Sequence, residues 1–187
     1  MMEKREPLEY GKFYHIYNRG INSTALFFEK GNYEYFLKLY EHHIDPIAET
    51  YAWCLMKNHF HFLVRIKEKN LAATDKLPHQ CFSNLFNAYT KAVNKKYDRH
   101  SSLFQRAFQR KLVEDERYLK RLILYIHNNP VHHRVCEDAM SYPWSSYLSC
   151  ISGKETMLKR QEVVGLFYDI NNFQYMHQHE TGFGYEP

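Results

Sequence analysis

Residues 50–56 (TYAWCLM) and 59–66 (HFHFLVRI) are two runs rich in β-formers with only Lys57-Asn58 between them. A two-residue connection leaves no room for a crossover, so the runs must pair as an antiparallel hairpin. The rest of the chain has to be arranged around that hairpin. Before it, residues 10–18 (YGKFYHIYN) form a further strand pattern that ends in the turn signal Asn18-Arg19-Gly20. Between the two, Tyr33, Phe36, Leu37, Tyr40 and Ile44 recur at helical spacing until Asp45-Pro46 interrupts them.

After the hairpin the alternation continues. Phe82, Leu85, Phe86, Tyr89, Val93 and Tyr97 form a second helical stripe, and residues 102–113 partly alternate as a fourth strand. Glu114-Asp115-Glu116 places negative charge where the dipole of a third helix favours it. That helix is expected to stop near Asn128, because the residue before a proline resists helical geometry and Asn129-Pro130 follows. The order β-α-β-β-α-β-α predicts an α+β chain. Its core is a ferredoxin-like βαββαβ antiparallel sheet with helices on one face, followed by a C-terminal helical extension of one or two short helices.

Composition narrows the partners. The 187 residues suffice for one domain, and no apolar run approaches the ~20 residues of a membrane span. The charged start, Met1 to Pro7, has no apolar signal region, and Cys54, Cys81, Cys136 and Cys150 make no C-x-x-C pair, so a cytoplasmic protein with reduced thiols is expected. Net charge is only +4, yet residues 91–134 hold 11 basic against 4 acidic side chains. Such a segment is either a solvated helix face or a seat for phosphates.

The hairpin carries the most suggestive chemistry. Along a strand, residues two apart share a face, so His59 and His61 project to one side and Phe60 and Phe62 to the other. Two imidazoles on a stiff strand can ligate one divalent ion. Singly, the pair is also what two hydrogen-bonded sheet histidines look like. His177-Gln178-His179 repeats the spacing near the terminus without a strand pattern and is expected to be structural.

The third helix supplies the complement. Its core stripe is Leu119, Leu122, Ile123 and Ile126, and Tyr118, Tyr125 and Asn129 cluster on the shoulder. Tyr125 and Asn129 stand one turn apart, so a phenol and a carboxamide can face one ligand. Two imidazoles and an amide oxygen form a donor set suited to Mg²⁺ or Mn²⁺ with positions left open for substrate. Alone, Tyr125 is equally a buried-edge tyrosine and Asn129 a turn residue.

Five segments together resemble the HUH single-tyrosine transposases, in the branch of REP-associated tyrosine transposases. They are residues 14–20 (YHIYNRG), 56–62 (MKNHFHF), 102–108 (SLFQRAF), 125–131 (YIHNNPV) and 142–147 (YPWSSY). The resemblance implies a catalytic domain over residues 1–148, with 149–187 packing on it or trailing it. It implies His59, His61 and Asn129 as metal ligands and Tyr125 as the nucleophile. The expected activity is metal-dependent cleavage and rejoining of single-stranded or hairpin DNA through a 5′-phosphotyrosine, by a monomer or a homodimer. Asn129 fits the repeat-associated branch, since the insertion-sequence branch usually has Gln there; Lys57 stands where relatives often have Pro. On this reading Arg19, Arg106, Arg110, Lys111, Arg117 and Arg121 are expected to hold DNA phosphates.

The rival is a non-catalytic, ferredoxin-like single-stranded nucleic-acid-binding module, in which Phe60 and Phe62 rather than the histidines would face the nucleic acid. A zinc hydrolase lacks support, as no H-E-x-x-H or H-x-E…C-x-x-C set exists.

Overall fold

A computed structural model describes residues 7–105 and 107–180. Strands β1 (Phe13–Arg19), β2 (Ala48–Met56), β3 (His59–Ile66) and β4 (Gln109–Val113) form one antiparallel sheet in the order β2-β3-β1-β4. The hairpin is present, with Lys57-Asn58 as its turn. Helices α1 (Lys30–Ile44) and α2 (Pro78–Lys96) pack together on one face, where Phe36, Ile44, Phe82, Leu85 and Tyr89 bury Ile16, Phe60, Phe62 and Val64. This is the ferredoxin-like core with its two helices on one face. Phe60 and Phe62 are fully buried there, so neither ring can stack on a base.

The other face is closed by α3 (Glu116–His132), which lies mainly over β2. Asp115 caps it, its carboxylate accepting the Tyr118 backbone N–H at 2.7 Å. Three further helices, α4 (Tyr147–Ile151), α5 (Arg160–Gly165) and α6 (Ile170–His179), complete this second core with Cys150, Val163, Phe167 and Phe173. The outer edge of β2 is covered by residues 144–146: the Leu55 N–H donates to the Trp144 carbonyl, and the Ser146 N–H to that of Trp53. Among the described residues no helix is long and apolar enough to cross a membrane, and all four cysteines are free thiols.

Three boundaries differ from expectation by more than two residues. The first strand begins at Phe13, not near Tyr10. The fourth begins at Gln109 rather than 102: Leu103 and Phe104 are buried in succession, and Ala107 takes a left-handed φ of 45°, which breaks an extended run. The third helix does not stop before Asn129-Pro130. Proline removes only its own N–H from the ladder, and the helix gains one more turn before ending at Arg134, whose φ is 55°. The Val135 N–H then bonds the Pro130 carbonyl and the Arg134 N–H that of Val131, the pattern of a Schellman stop. The tail holds three short helices where one or two were expected.

Candidate active site

Sheet register decides which side chains meet. In the β1–β3 pairing Tyr17 stands opposite His61 and Arg19 opposite His59; in the β1–β4 pairing His15 stands opposite Lys111. Directly opposed residues share a face, so His15, Tyr17, Arg19, His59, His61 and Lys111 all lie on the side closed by α3. Arg110 pairs with Ile16 and therefore points to the other side, where its guanidinium lies over Phe108 at 5.2 Å.

The predicted four come together in one chain. The His59 and His61 rings are 5.3 Å apart and nearly perpendicular. His59 Nε2 lies 2.9 Å from Asn129 Oδ1. The Tyr125 ring, half-buried, stands edge-on to His61 at 5.4 Å between centroids. One helical turn on α3 thus delivers Tyr125 and Asn129 to adjacent points of the histidine pair.

Both imidazoles are held neutral. Burial pushes the His59 pKa down to about 4, a shift that its contact with Asn129 partly opposes and that His133 and Arg19 reinforce. His61 is driven well below its ordinary value by burial and then by His15, and His15 falls to about 3 through burial and the Lys111 charge. A neutral ring has one N–H and one lone pair.

That constraint tests whether a metal fits. His59 Nδ1 meets Asn58 Oδ1 at 2.8 Å, and Nε2 meets Asn129 Oδ1 at 2.9 Å. One N–H cannot serve two oxygens. If Nδ1–H goes to Asn58, two lone pairs face each other across the second contact. A cation between them removes the conflict, since ligands at right angles on bonds of ~2.1 Å stand about 3 Å apart. The Asn129 amide offers a second sign: buried, its Nδ2 has no hydrogen-bond partner among the described residues. Turning the amide over would leave its oxygen in that place instead, so one amide atom awaits a ligand either way. The donor set is therefore two imidazoles and an amide oxygen; no cluster of three or more His, Cys, Asp or Glu suited to a metal occurs among the described residues.

His15, Tyr17, Asn58, His132 and His133 complete the surroundings. His15 Nε2 lies 2.9 Å from His61 Nδ1, leaving His61 Nε2 for a ligand, and the Tyr17 ring stacks on His15 at 4.6 Å. The His132 ring is 5.7 Å from Tyr125, and that of His133 is 4.8 Å from His59. Sequence reasoning missed these roles. His15 and Tyr17 alternate in a recognisable strand, but only the register places them beside His61. His132 and His133 lay beyond the expected helix end.

The basic residues divide. Arg19 is exposed beside His59. Lys111, with Nζ 5.5 Å from the Tyr118 ring centre, joins Arg117 and Arg121 around a surface cleft of about 420 Å³ that Tyr118, Glu114 and Asp115 also line. Arg110 faces away, and Arg106 lies outside the described residues. His177 and His179 fall on α6, where positions two apart point about 200° apart; the first is buried and the second exposed, and neither joins the site.

The fold and site define a class: a ferredoxin-like sheet whose histidine-bearing face is closed by a helix carrying a tyrosine and an asparagine one turn apart. Comparison with known proteins gives that class a family context. The chain is 32% identical over 110 residues to a Haemophilus influenzae protein named a REP-associated tyrosine transposase, a match covering 53% of this chain and 58% of that one. The chain thus matches little more than half the length of that relative. Its fold is similar to that of a REP-associated tyrosine transposase bound to a REP hairpin, with a TM-score of 0.65, 16% identity, and coverage of 84% of this chain and 90% of the other. A bacterial tRNA(His) guanylyltransferase-like protein in complex with GTP gives a TM-score of 0.45 at 11% identity over 70% of each chain, too low to bear on function. No protein-family model matches. The sequence match bears out the resemblance to REP-associated tyrosine transposases, and the structural match bears out the fold.

Proposed function

We propose that this chain cleaves and rejoins single-stranded DNA through a covalent tyrosine. The observation that carries the reading is the meeting of His59, His61 and Asn129 at one sheet–helix seam, with the Tyr125 ring 5.4 Å from His61. Held by those three residues, a divalent cation, Mg²⁺ or Mn²⁺, would supply positive charge to a non-bridging oxygen of the scissile phosphate.

The chain's own groups do the rest. Tyr125 is the nucleophile: its oxygen bonds to phosphorus as the bond from phosphorus to the 3′ oxygen breaks. The phenol gives up its proton on forming that bond and the departing 3′ oxygen takes one up, so the products are a 5′-phosphotyrosine and a 3′-hydroxyl with no net proton change. One phosphodiester has replaced another, so the reverse step rejoins strands without a nucleotide cofactor. Asn58 and His15 hold the tautomers that turn Nε2 of His59 and His61 toward the ligand. Asn129 Nδ2 is free to donate to the phosphate. Arg19, Lys111, Arg117 and Arg121 neutralise flanking phosphates, Arg106 belongs to the same segment of sequence, and Arg110 reaches DNA only where it passes to the other side of the sheet.

Hairpin-containing DNA is the proposed substrate, because the solved structure that shares the fold is bound to a REP hairpin. All four central residues come from one chain, so a monomer suffices for one site. The described part of the extension, residues 149–180, is read as belonging to the same domain, where Cys150, Val163, Phe167 and Phe173 continue its second core.

The test is a labelled single-stranded hairpin incubated with protein and Mg²⁺ or Mn²⁺, then resolved on a denaturing gel. A covalent adduct is expected that chelator prevents and Tyr125→Phe abolishes. An adduct that survives Tyr125→Phe would move the nucleophile to another tyrosine, and the Tyr17 ring lies 5.9 Å from His61.

A further inference from the structure

Three consecutive polar residues on α3 are buried: His127, Asn128 and Asn129. Asn129 faces His59, whereas its two predecessors face α6. His177 Nδ1 lies 2.7 Å from the Phe173 carbonyl oxygen, which can only accept. The proton therefore sits on Nδ1, and His177 Nε2 accepts from His127 Nδ1 at 2.8 Å. His127 Nε2 then accepts the Ser146 hydroxyl at 2.8 Å, and Ser146 Oγ accepts the Trp53 backbone N–H of β2 at 2.8 Å. Asn128 Nδ2 donates to the His177 carbonyl oxygen at 3.2 Å.

One arrangement of protons satisfies this whole path with each ring neutral, and no ring nitrogen is left over for a metal. The path runs from α6 through α3 into the sheet, and it meets α3 immediately before its metal-type ligand. We infer that His177 is a positioning residue: through His127 and Asn128 it fixes the rotation of α3 about its axis, and with it the place of the Asn129 oxygen opposite His59. The inference rests on the function proposed above. It gives the C-terminal helices a part in the site that none of their residues touches.

The leverage is large. With side chains a helix has a radius of roughly 5 Å, so a turn of about 10° carries an atom at its rim through about 1 Å. Ligand geometry tolerates about half that. Leucine at 177 would keep the core filled but leave the His127 N–H without an acceptor, freeing α3 to turn. Glutamine would restore an acceptor at the same reach.

The experiment is a Mn²⁺ titration of the full chain, read from the loss of the free-ion electron paramagnetic resonance signal and normalised to the folded fraction by circular dichroism. His177→Leu is expected to weaken Mn²⁺ binding by about tenfold or more. His177→Gln should stay close to the unsubstituted protein, and Asn128→Ala should fall between. If His177→Leu and Asn128→Ala melt earlier yet bind Mn²⁺ unchanged, the contacts are only structural and the inference is wrong. Should His177→Leu fail to fold, Asn128→Ala decides alone. No Mn²⁺ binding by the unsubstituted chain would overturn the metal site and this inference together, a failure distinct from the first.

Discussion

Asn58 occupies a turn position, and its side chain does more than close the hairpin. Its oxygen meets His59 Nδ1 at 2.8 Å, and only a proton on that nitrogen leaves Nε2 open to a metal. Replacing Asn58 with alanine frees the imidazole to protonate Nε2 toward Asn129, which shuts out the cation. Asn58→Ala should therefore weaken Mn²⁺ binding by about 10- to 100-fold while the melting temperature changes little; calorimetric titration of Mn²⁺ checks it. At this scale the legible residues were those whose partners lie on the same element. His59 and His61 followed from alternation along one strand, and Tyr125 and Asn129 from one helical turn. His15 was hidden because its contact with His61 spans two strands, and no local spacing encodes their register.

The third helix shows how a local signal can be sound and still lose. Asn129-Pro130 is a helix-ending pair by backbone sterics, yet helical geometry continues to His132. Burial of Asn129 and its contact with His59 hold the residue in the helix, and stopping is left to Arg134 in a left-handed conformation that glycine adopts without cost. Arg134 is exposed, so its side chain gives little in return. Arg134→Gly is expected to stabilise the chain by about 0.5–1 kcal/mol, raising the melting temperature by roughly 1–4 °C in a scanning calorimeter. A lower melting temperature would mean that the arginine holds the helix end by a contact worth more than the strain. By contrast, β3 was legible to both its ends because a two-residue turn bounds it on one side and the polar run Lys67-Glu68-Lys69-Asn70 on the other.

Across the whole molecule, one sheet separates an aromatic core from a second core into which histidines are built. His15, His59, His61, His127 and His177 are all buried with their pKa values pushed down, His177 to about 4 by burial despite its bond to Phe173. The two-layer core was readable from periodicity, but this load of buried imidazole was not, because burial of a polar ring depends on partners supplied from distant elements. Its consequence has a definite sign. Each ring is neutral in the fold and titrates near 6.5 when unfolded, so between about pH 4 and 6.5 the unfolded chain binds more protons and stability falls as pH falls. Asp45 works the other way: burial lifts its carboxyl to about 6, so acidification favours the fold there. These imidazoles outnumber that carboxyl, so the net slope keeps their sign near pH 5, and a domain's whole stability is only about 5–15 kcal/mol. Urea midpoints measured from pH 7.5 downward should hold nearly constant to about pH 6.5 and then fall steeply, with loss of the fold on the order of one to two pH units lower. His177→Gln removes one of those protonations and should flatten the slope by about 1.4 kcal/mol per pH unit. If the proposed site holds Mn²⁺, which would need neutral His59 and His61, saturating Mn²⁺ should move the acid transition to lower pH. An unchanged midpoint between pH 7 and 5 would mean that the buried imidazoles find proton acceptors within the fold, and would remove the basis for a neutral histidine site.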